Sequence, residues 1–227
     1  MFLDPRAPRA VRDAIRFLGF GGIELPPYTK LPGPVSCHPD LLLHDLGGKL
    51  LVYRDYYEEN KELFADIAVV PTDCVAGEKY PQDIGMDALV LGDMVLCLVE
   101  HTCPEILKNR KVVPVRQGYA ACAALKVGEN AIVTADPTIA VAAENCGIAV
   151  LKIRPGYIVL DGYDYGFIGG TAFAVEDALY FAGDLSLHPD GNAIFDFCAS
   201  HGVICHSLVQ GMPLHDLGFL KYNKKSM

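Results

Sequence analysis

Cysteine, histidine and aspartate are the side chains through which this chain could do chemistry near neutral pH. Cys37 and His38 are adjacent; a thiolate beside an imidazole suits nucleophilic attack, although neighbours on a strand face opposite sides. Cys122, three residues after Tyr119, is either a second inward-facing thiol or packed core. A rival chemistry lies in His38-x-Asp40, His44-Asp45 and Asp184-x-x-x-His188, since histidine and aspartate ligate hydrolytic divalent metals. Ser36 and Ser207 lack a Gly-x-Ser-x-Gly context, which argues against a hydrolase elbow. Gly166-Phe-Ile-Gly169-Gly170 has neither the dinucleotide-loop spacing nor the Lys-Ser/Thr ending of a phosphate loop. No Cys-x-x-Cys pair occurs among the eight cysteines, which weakens zinc-finger and thioredoxin-type readings.

The elements that must position these groups repeat along the chain. AALKVGENAIVTAD (123–136) and TAFAVEDALYFAGD (171–184) are each an apolar strand, a polar turn, a second strand and an aspartate. Short helices are predicted next, over 137–145 and 192–200, ending near Gly147 and Gly202, with strands over 148–153 and 203–208 to follow. The repeated aspartates, Asp136 and Asp184, read as helix N-caps. The same grammar runs from Leu41 to Asp55, with a helix over 57–64 and a strand over 67–70. It recurs from Asp87 to Glu100, with a helix near 104–109 and a strand over 112–115. The termini supply a fifth unit: LHDLGFLKY (214–222) matches LHDLGGKLL (43–51). Pro8, Val11, Ala14, Ile15, Leu18 and Gly19 mark the missing helix, and 22–25 the missing strand. Half a unit at each end is what a closed ring requires, and the alternative is an ordinary open α/β sheet.

The chain has 227 residues, 51% hydrophobic and 21% charged, with a net charge of -9. That size accommodates one large domain, and a single domain over 1–227 is expected. The acidity argues against a nucleic-acid partner, the basic Lys221 to Lys225 being read as a solvated tail. No membrane span or signal peptide is expected. Cysteines set in apolar runs, such as Val95-Leu96-Cys97-Leu98-Val99, behave as small hydrophobes. The expectation is a reduced, cytoplasmic protein.

Five strand-strand-helix-strand units about an axis resemble the pentein fold, a five-bladed α/β propeller shared by guanidine-modifying enzymes and by a non-enzymatic ribosome anti-association factor. Tyr80-Pro81-Gln82-Asp83-Ile84-Gly85-Met86-Asp87 is similar to their guanidinium-holding strand, and Gly166-Phe167-Ile168-Gly169-Gly170 to their Gly-Gly hairpin strand, with Ile168 where relatives carry a carboxylate. Gln117-Gly-Tyr-Ala-Ala-Cys122 and Gly183-Asp184-Leu-Ser-Leu-His188-Pro189 resemble an uncharacterised bacterial family of that fold. Leu179-Tyr-Phe-Ala-Gly-Asp184 is also similar to one strand of the metallo-β-lactamase fold, without that family's His-x-His-x-Asp-His cluster.

The pentein resemblance implies a nucleophilic cysteine at the start of the last unit, where this chain has Gly211-Met212-Pro213-Leu214-His215, and a histidine where it has Gln117-Gly118-Tyr119. In such a ring the starts of the inner strands converge on one cavity. That nominates Cys37, His38 and Asp40; Asp83 and Asp87; Gln117 and Tyr119; Asp164 and Tyr165; His215 and Asp216. Several carboxylates around one pocket suit a small cationic metabolite, a guanidine or an amine. As an enzyme, the protein would use Cys37 or Cys122 as nucleophile and His38 or His215 as base, with Asp40, Asp83, Asp87 and Asp164 holding the substrate. No cofactor and no metal ligand are expected on this reading. The alternatives are a non-catalytic protein-interaction module and a divalent-metal hydrolase.

Overall fold

The computed structural model describes residues 1–220, so the basic cluster at 221–225 lies outside the described residues, as do the last two residues of the fifth repeat. Near the N-terminus, β1 (Phe2–Leu3) runs parallel to β2 (Ile23–Glu24), with α1 (Arg9–Phe17) crossing between them. Val11 and Ile15 are the buried face of α1. Leu18, predicted to join them, caps the helix instead and stays exposed.

Four three-stranded sheets follow. The first has α2 (Pro39–Leu42), β3 (Leu43–Asp45), β4 (Leu50–Tyr53), α3 (Arg54–Glu59) and β5 (Val69–Thr72). The second has β6 (Leu89–Leu91), β7 (Met94–Cys97), α4 (Pro104–Leu107) and β8 (Lys111–Pro114). The third has α5 (Ala120–Ala123), β9 (Ala124–Val127), β10 (Ala131–Thr134), α6 (Pro137–Asn145) and β11 (Ala149–Lys152). The fourth has β12 (Ala172–Val175), β13 (Ala178–Phe181), α7 (Gly191–Ser200) and β14 (Ile204–Ser207). In each, an antiparallel hairpin is followed by a helical crossover to a parallel third strand. The middle strand is flanked on both sides, so its sequence is a nearly unbroken apolar run; Leu50 to Tyr53 and Ala131 to Thr134 are wholly buried.

The fifth sheet draws on both ends of the chain. Phe2 donates its amide to the Leu220 carbonyl at 3.0 Å in an antiparallel bridge, so the C-terminal segment supplies the strand that β1 lacks. The expected sharing of one unit between the termini is therefore present.

Helix ends follow local chemistry. Asp136 caps α6 by accepting from the amides of Thr138 (2.7 Å) and Ile139 (2.9 Å). Gly147 and Gly202 leave α6 and α7 at φ of 78° and 73°, the left-handed turn that favours glycine. Two predicted elements moved. The helix expected over 57–64 starts earlier as α3, breaks at Asn60, and resumes as a 3-10 turn over Lys61–Phe64. The strand expected over 67–70 begins at Val69, because parallel pairing with Leu50 sets its register while Ile67 donates back to Phe64.

The cores lie between sheets as well as within them: α6 packs on β10 and β11 of its own unit and on β7 of the preceding one. Phe181, Ile139, Leu185 and Val95 are fully enclosed, each contributing about 1.5–3 kcal/mol through burial. Connections 73–88, 115–119 and 153–168 carry no helix or regular strand, and they supply most of the site described next.

Candidate functional site

Short helices and turns precede the first strand of each unit, and their side chains meet. Pro39 opens α2 behind an extended His38, leaving Asp40 in the first turn. The Asp40 amide donates to the Gly218 carbonyl at 3.1 Å, tying the first unit to the last. Asp87 ends the turn that begins at Ile84, its amide donating to the Ile84 carbonyl; its Oδ1 accepts from the amides of Ala121 (2.5 Å) and Cys122 (3.3 Å) on α5. The Cys122 thiol donates to Asp40 Oδ2 at 2.8 Å. Asp216 accepts from the amides of Phe167 (2.9 Å) and Gly218 (3.2 Å). Gly170 lies against that carboxylate so closely that a Cβ there would overlap Oδ1.

Three carboxylates and a thiol thus share one interior. Burial is the main force on all of them, and it disfavours charge. It pushes Asp40 well above the usual carboxylate range, helped by the charge of Asp87. It raises Asp87 too, against the hydrogen bonds it receives. Asp216 is pushed up to about 6, His38 pulling it down and Asp40 pushing it up. The Cys122 thiol goes up through burial and then through the charges of Asp40, Asp87 and Asp216. Burial lowers His38, against the pull of Asp216 and Asp4. Asp40 Oδ1, Asp87 Oδ2 and Asp83 Oδ1 are buried without a hydrogen-bond partner.

Cys122, His38 and Asp216 are the buried polar and thiol-bearing members of a pocket of about 240 Å³, beside buried Val35 and Leu41. Its walls are Tyr119, Tyr163, Tyr165 and Phe167. The Phe167 ring lies 6.1 Å from Tyr119 and, edge-on, 6.3 Å from Tyr165. Tyr163 and Tyr165 are half-exposed and stand at the mouth with exposed Asp164. The Tyr119 hydroxyl donates to Asp83, orienting the ring. Asp40 and Asp87 do not line the pocket; they lie deeper, in contact with Cys122.

The convergence expected from the inner-strand starts is partial. Asp40, Asp87, Cys122 and Asp216 meet, and Asp83 joins through Tyr119. Gln117 turns away: its side chain donates to Asp136 at 3.1 Å and lines a separate cavity of about 180 Å³. His215 lines another, of about 290 Å³, with Asp4 and Arg6, on the far side of His38 and Leu160. Its Nδ1 faces the Pro213 carbonyl at 2.8 Å. Cys37 is buried and lines none of these three cavities, and its thiol is raised by burial and by Asp4. The Ser36 hydroxyl lies 4.0 Å from its sulfur, while His38 Nε2 lies 3.6 Å from Asp4. Residues 36 and 37 form a turn rather than a strand, and His38 is extended ahead of α2.

The rival metal groupings are dispersed. His44 bonds the Met86 carbonyl, Asp45 caps the Gly47-Gly48 turn, Asp184 accepts from Ser186 and Gly211, and His188 accepts from the Asp190 amide. Among the described residues, one group could hold a metal ion: Asp40, Asp87 and Cys122, with ligand atoms within 4.8 Å of one another. Tyr163, Phe167 and Leu160 were not singled out by sequence; the one signal for them is the aromatic density of 157–167.

Five small sheets joined in this order, with their connections meeting at a buried acidic centre, constitute the pentein fold. The DDAH of Pseudomonas aeruginosa, solved in complex with citrulline, is similar at 12% identity over 91% of this chain and 90% of that one, with a TM-score of 0.51. A C. jejuni agmatine deiminase is 12% identical over 71% of this chain and 61% of that one, with a TM-score of 0.48. No curated protein matches the sequence. The chain belongs to the family of unknown function DUF6873, whose model matches residues 2–220.

Proposed function

We propose that the five sheets are blades of one ring in a single domain, and that the aromatic pocket binds a small cationic metabolite of the guanidino or amine type. Asp216 carries this reading. It is a buried carboxylate at the base of the pocket, charged at neutral pH, and the neighbours that act on it electrostatically are His38 and another acid, Asp40, rather than a lysine or arginine. A cation arriving there replaces lost hydration with a charge-assisted hydrogen bond of about 1.5–3 kcal/mol. The faces of Tyr119, Tyr163, Tyr165 and Phe167 add about 0.5–2 kcal/mol through cation–π attraction.

The same surroundings favour binding over turnover. A nucleophilic cysteine needs a depressed pKa in an electropositive setting, whereas Cys122 sits among three carboxylates that keep its proton on. The nearby imidazole, His38, is directed at another carboxylate, its Nε2 lying 3.6 Å from Asp4 Oδ2. No helix among the described residues is long and apolar enough to cross a membrane.

Thermal-shift titration with arginine, agmatine, dimethylarginine, creatine and simple amines tests the proposal. At a hundred times Kd, a binder should raise stability by about 2.7 kcal/mol. Asp216→Asn, whose circular dichroism should match the parent, should lose that response. Silence across the panel, or an unchanged response in Asp216→Asn, would overturn the reading.

A further inference from the structure

We propose that Asp40, Asp87 and Cys122 form a binding site for one divalent transition-metal ion of the zinc type, entered from the aromatic pocket past Cys122. The three residues come from three different units, and their ligand atoms lie within 4.8 Å of one another. Zinc bonds of ~2.3 Å to sulfur and ~2.0–2.2 Å to oxygen set ligand atoms ~3.5 Å apart, a spacing this triangle accommodates.

The independent sign of a missing ligand is in the oxygens. Asp87 is fully buried and Asp40 nearly so, yet Asp87 Oδ2 and Asp40 Oδ1 have no hydrogen-bond partner. Leaving such atoms dry and unpaired is costly, and native interiors rarely do so. The charged groups acting on these two acids are other acids and the Cys122 thiol; no protein cation is among them.

The donor set selects the ion. Magnesium and calcium require six or more oxygens, whereas one sulfur with two carboxylates suits zinc or cobalt. Binding would displace the Cys122 proton to solvent and leave a thiolate–metal bond. The Ala121 and Cys122 amides already orient Asp87, and the Asp40 amide is anchored on Gly218, so the ligands are held by their surroundings. Water from the pocket would complete a fourth position.

The test uses the whole protein, stripped with chelator and titrated with zinc or cobalt(II). One equivalent should bind, and the cobalt form should show a thiolate-to-metal absorption band. Cys122→Ser should lose that band. Asp87→Asn should weaken binding about tenfold or more, and Cys37→Ser should change neither. Substoichiometric binding, or a band that survives Cys122→Ser, overturns the site. Should Cys122→Ser fail to fold, an undiminished affinity in Asp87→Asn overturns it equally. Agmatine titration of the metal-free protein reads the pocket separately, so the two proposals can fail independently.

Discussion

Two sets of aspartates in this molecule obey the same chemistry and end in opposite states. Asp136 and Asp184 stand where a strand gives way to a helical turn, and each is surrounded by donors. Burial alone would raise Asp136, but hydrogen bonds from Thr138, Ile139 and Gln117 outweigh it and hold the carboxyl below its usual range. Asp184 is lowered chiefly by the Gly211 amide and by Ser186. Asp40, Asp87 and Asp216 have fewer donors, face one another, and are all raised. The outer aspartates stabilise turns; among the inner ones, Asp40 and Asp87 each keep a carboxylate oxygen buried without a hydrogen-bond partner. What separates them is the balance of burial against donors: hydrogen bonds outweigh burial at Asp136 and Asp184, and burial outweighs them at Asp40, Asp87 and Asp216.

The largest test of that contrast is pH. The three inner acids bind protons more tightly folded than unfolded, so the stability they contribute is full below about 4 and is lost as pH rises through their folded values, about 6 for Asp216. Each contributes a slope of up to about 1.4 kcal/mol per pH unit within its window. The outer pair, with lowered values, works the other way, losing its contribution as the solution becomes acid. Urea denaturation of the metal-free protein should show falling stability between pH 5 and 8 (roughly the inner window) and a shallower fall in Asp87→Asn. A flat or rising profile there would mean the inner acids are not raised.

Gly170→Ala comes next in size. Its Cβ would meet the Asp216 carboxylate, and overpacking of this kind costs about 1–3 kcal/mol. Both the denaturation midpoint and the response to agmatine should fall together; loss of neither would show that the close approach is unimportant. Asp136→Ala should be smaller, at about 1–2 kcal/mol for a lost cap, and should leave agmatine affinity unchanged. A drop in affinity in that variant would abolish the division between outer and inner aspartates.

Local signals were legible in the sequence, and relations between units were less so. The span of α6, its Asp136 cap and the glycine turns at Gly147 and Gly202 follow from residues within a few positions of one another. The third strands were less exact, because β5 takes its register from Leu50 rather than from its own apolar run. For the site, the repeat located the right segments but not the direction of each side chain. Cys122 and Asp40 lie on short helices rather than strand starts, so strand alternation does not say which way they face. Gln117 and His215 were nominated by the same rule, but the Asp136 carboxylate and the Pro213 carbonyl hold them elsewhere. Phe167 and Tyr163 sit in a connection without regular structure, which periodicity cannot place.

The hydrogen bond between Phe2 and Leu220 has a consequence for timing. It joins positions separated by nearly the whole described chain, a closure whose entropic cost is met only when distant segments meet. Asp216 lies just before Leu220, and its neighbour Leu217 is tied to the Gly170 carbonyl. A nascent chain that has made only the first four sheets already holds Tyr119, Tyr163, Tyr165 and Phe167, but not the carboxylate beneath them. On the proposed function, ligand recognition would begin only once these residues reach the rest of the molecule, and a bound ligand would report that they have.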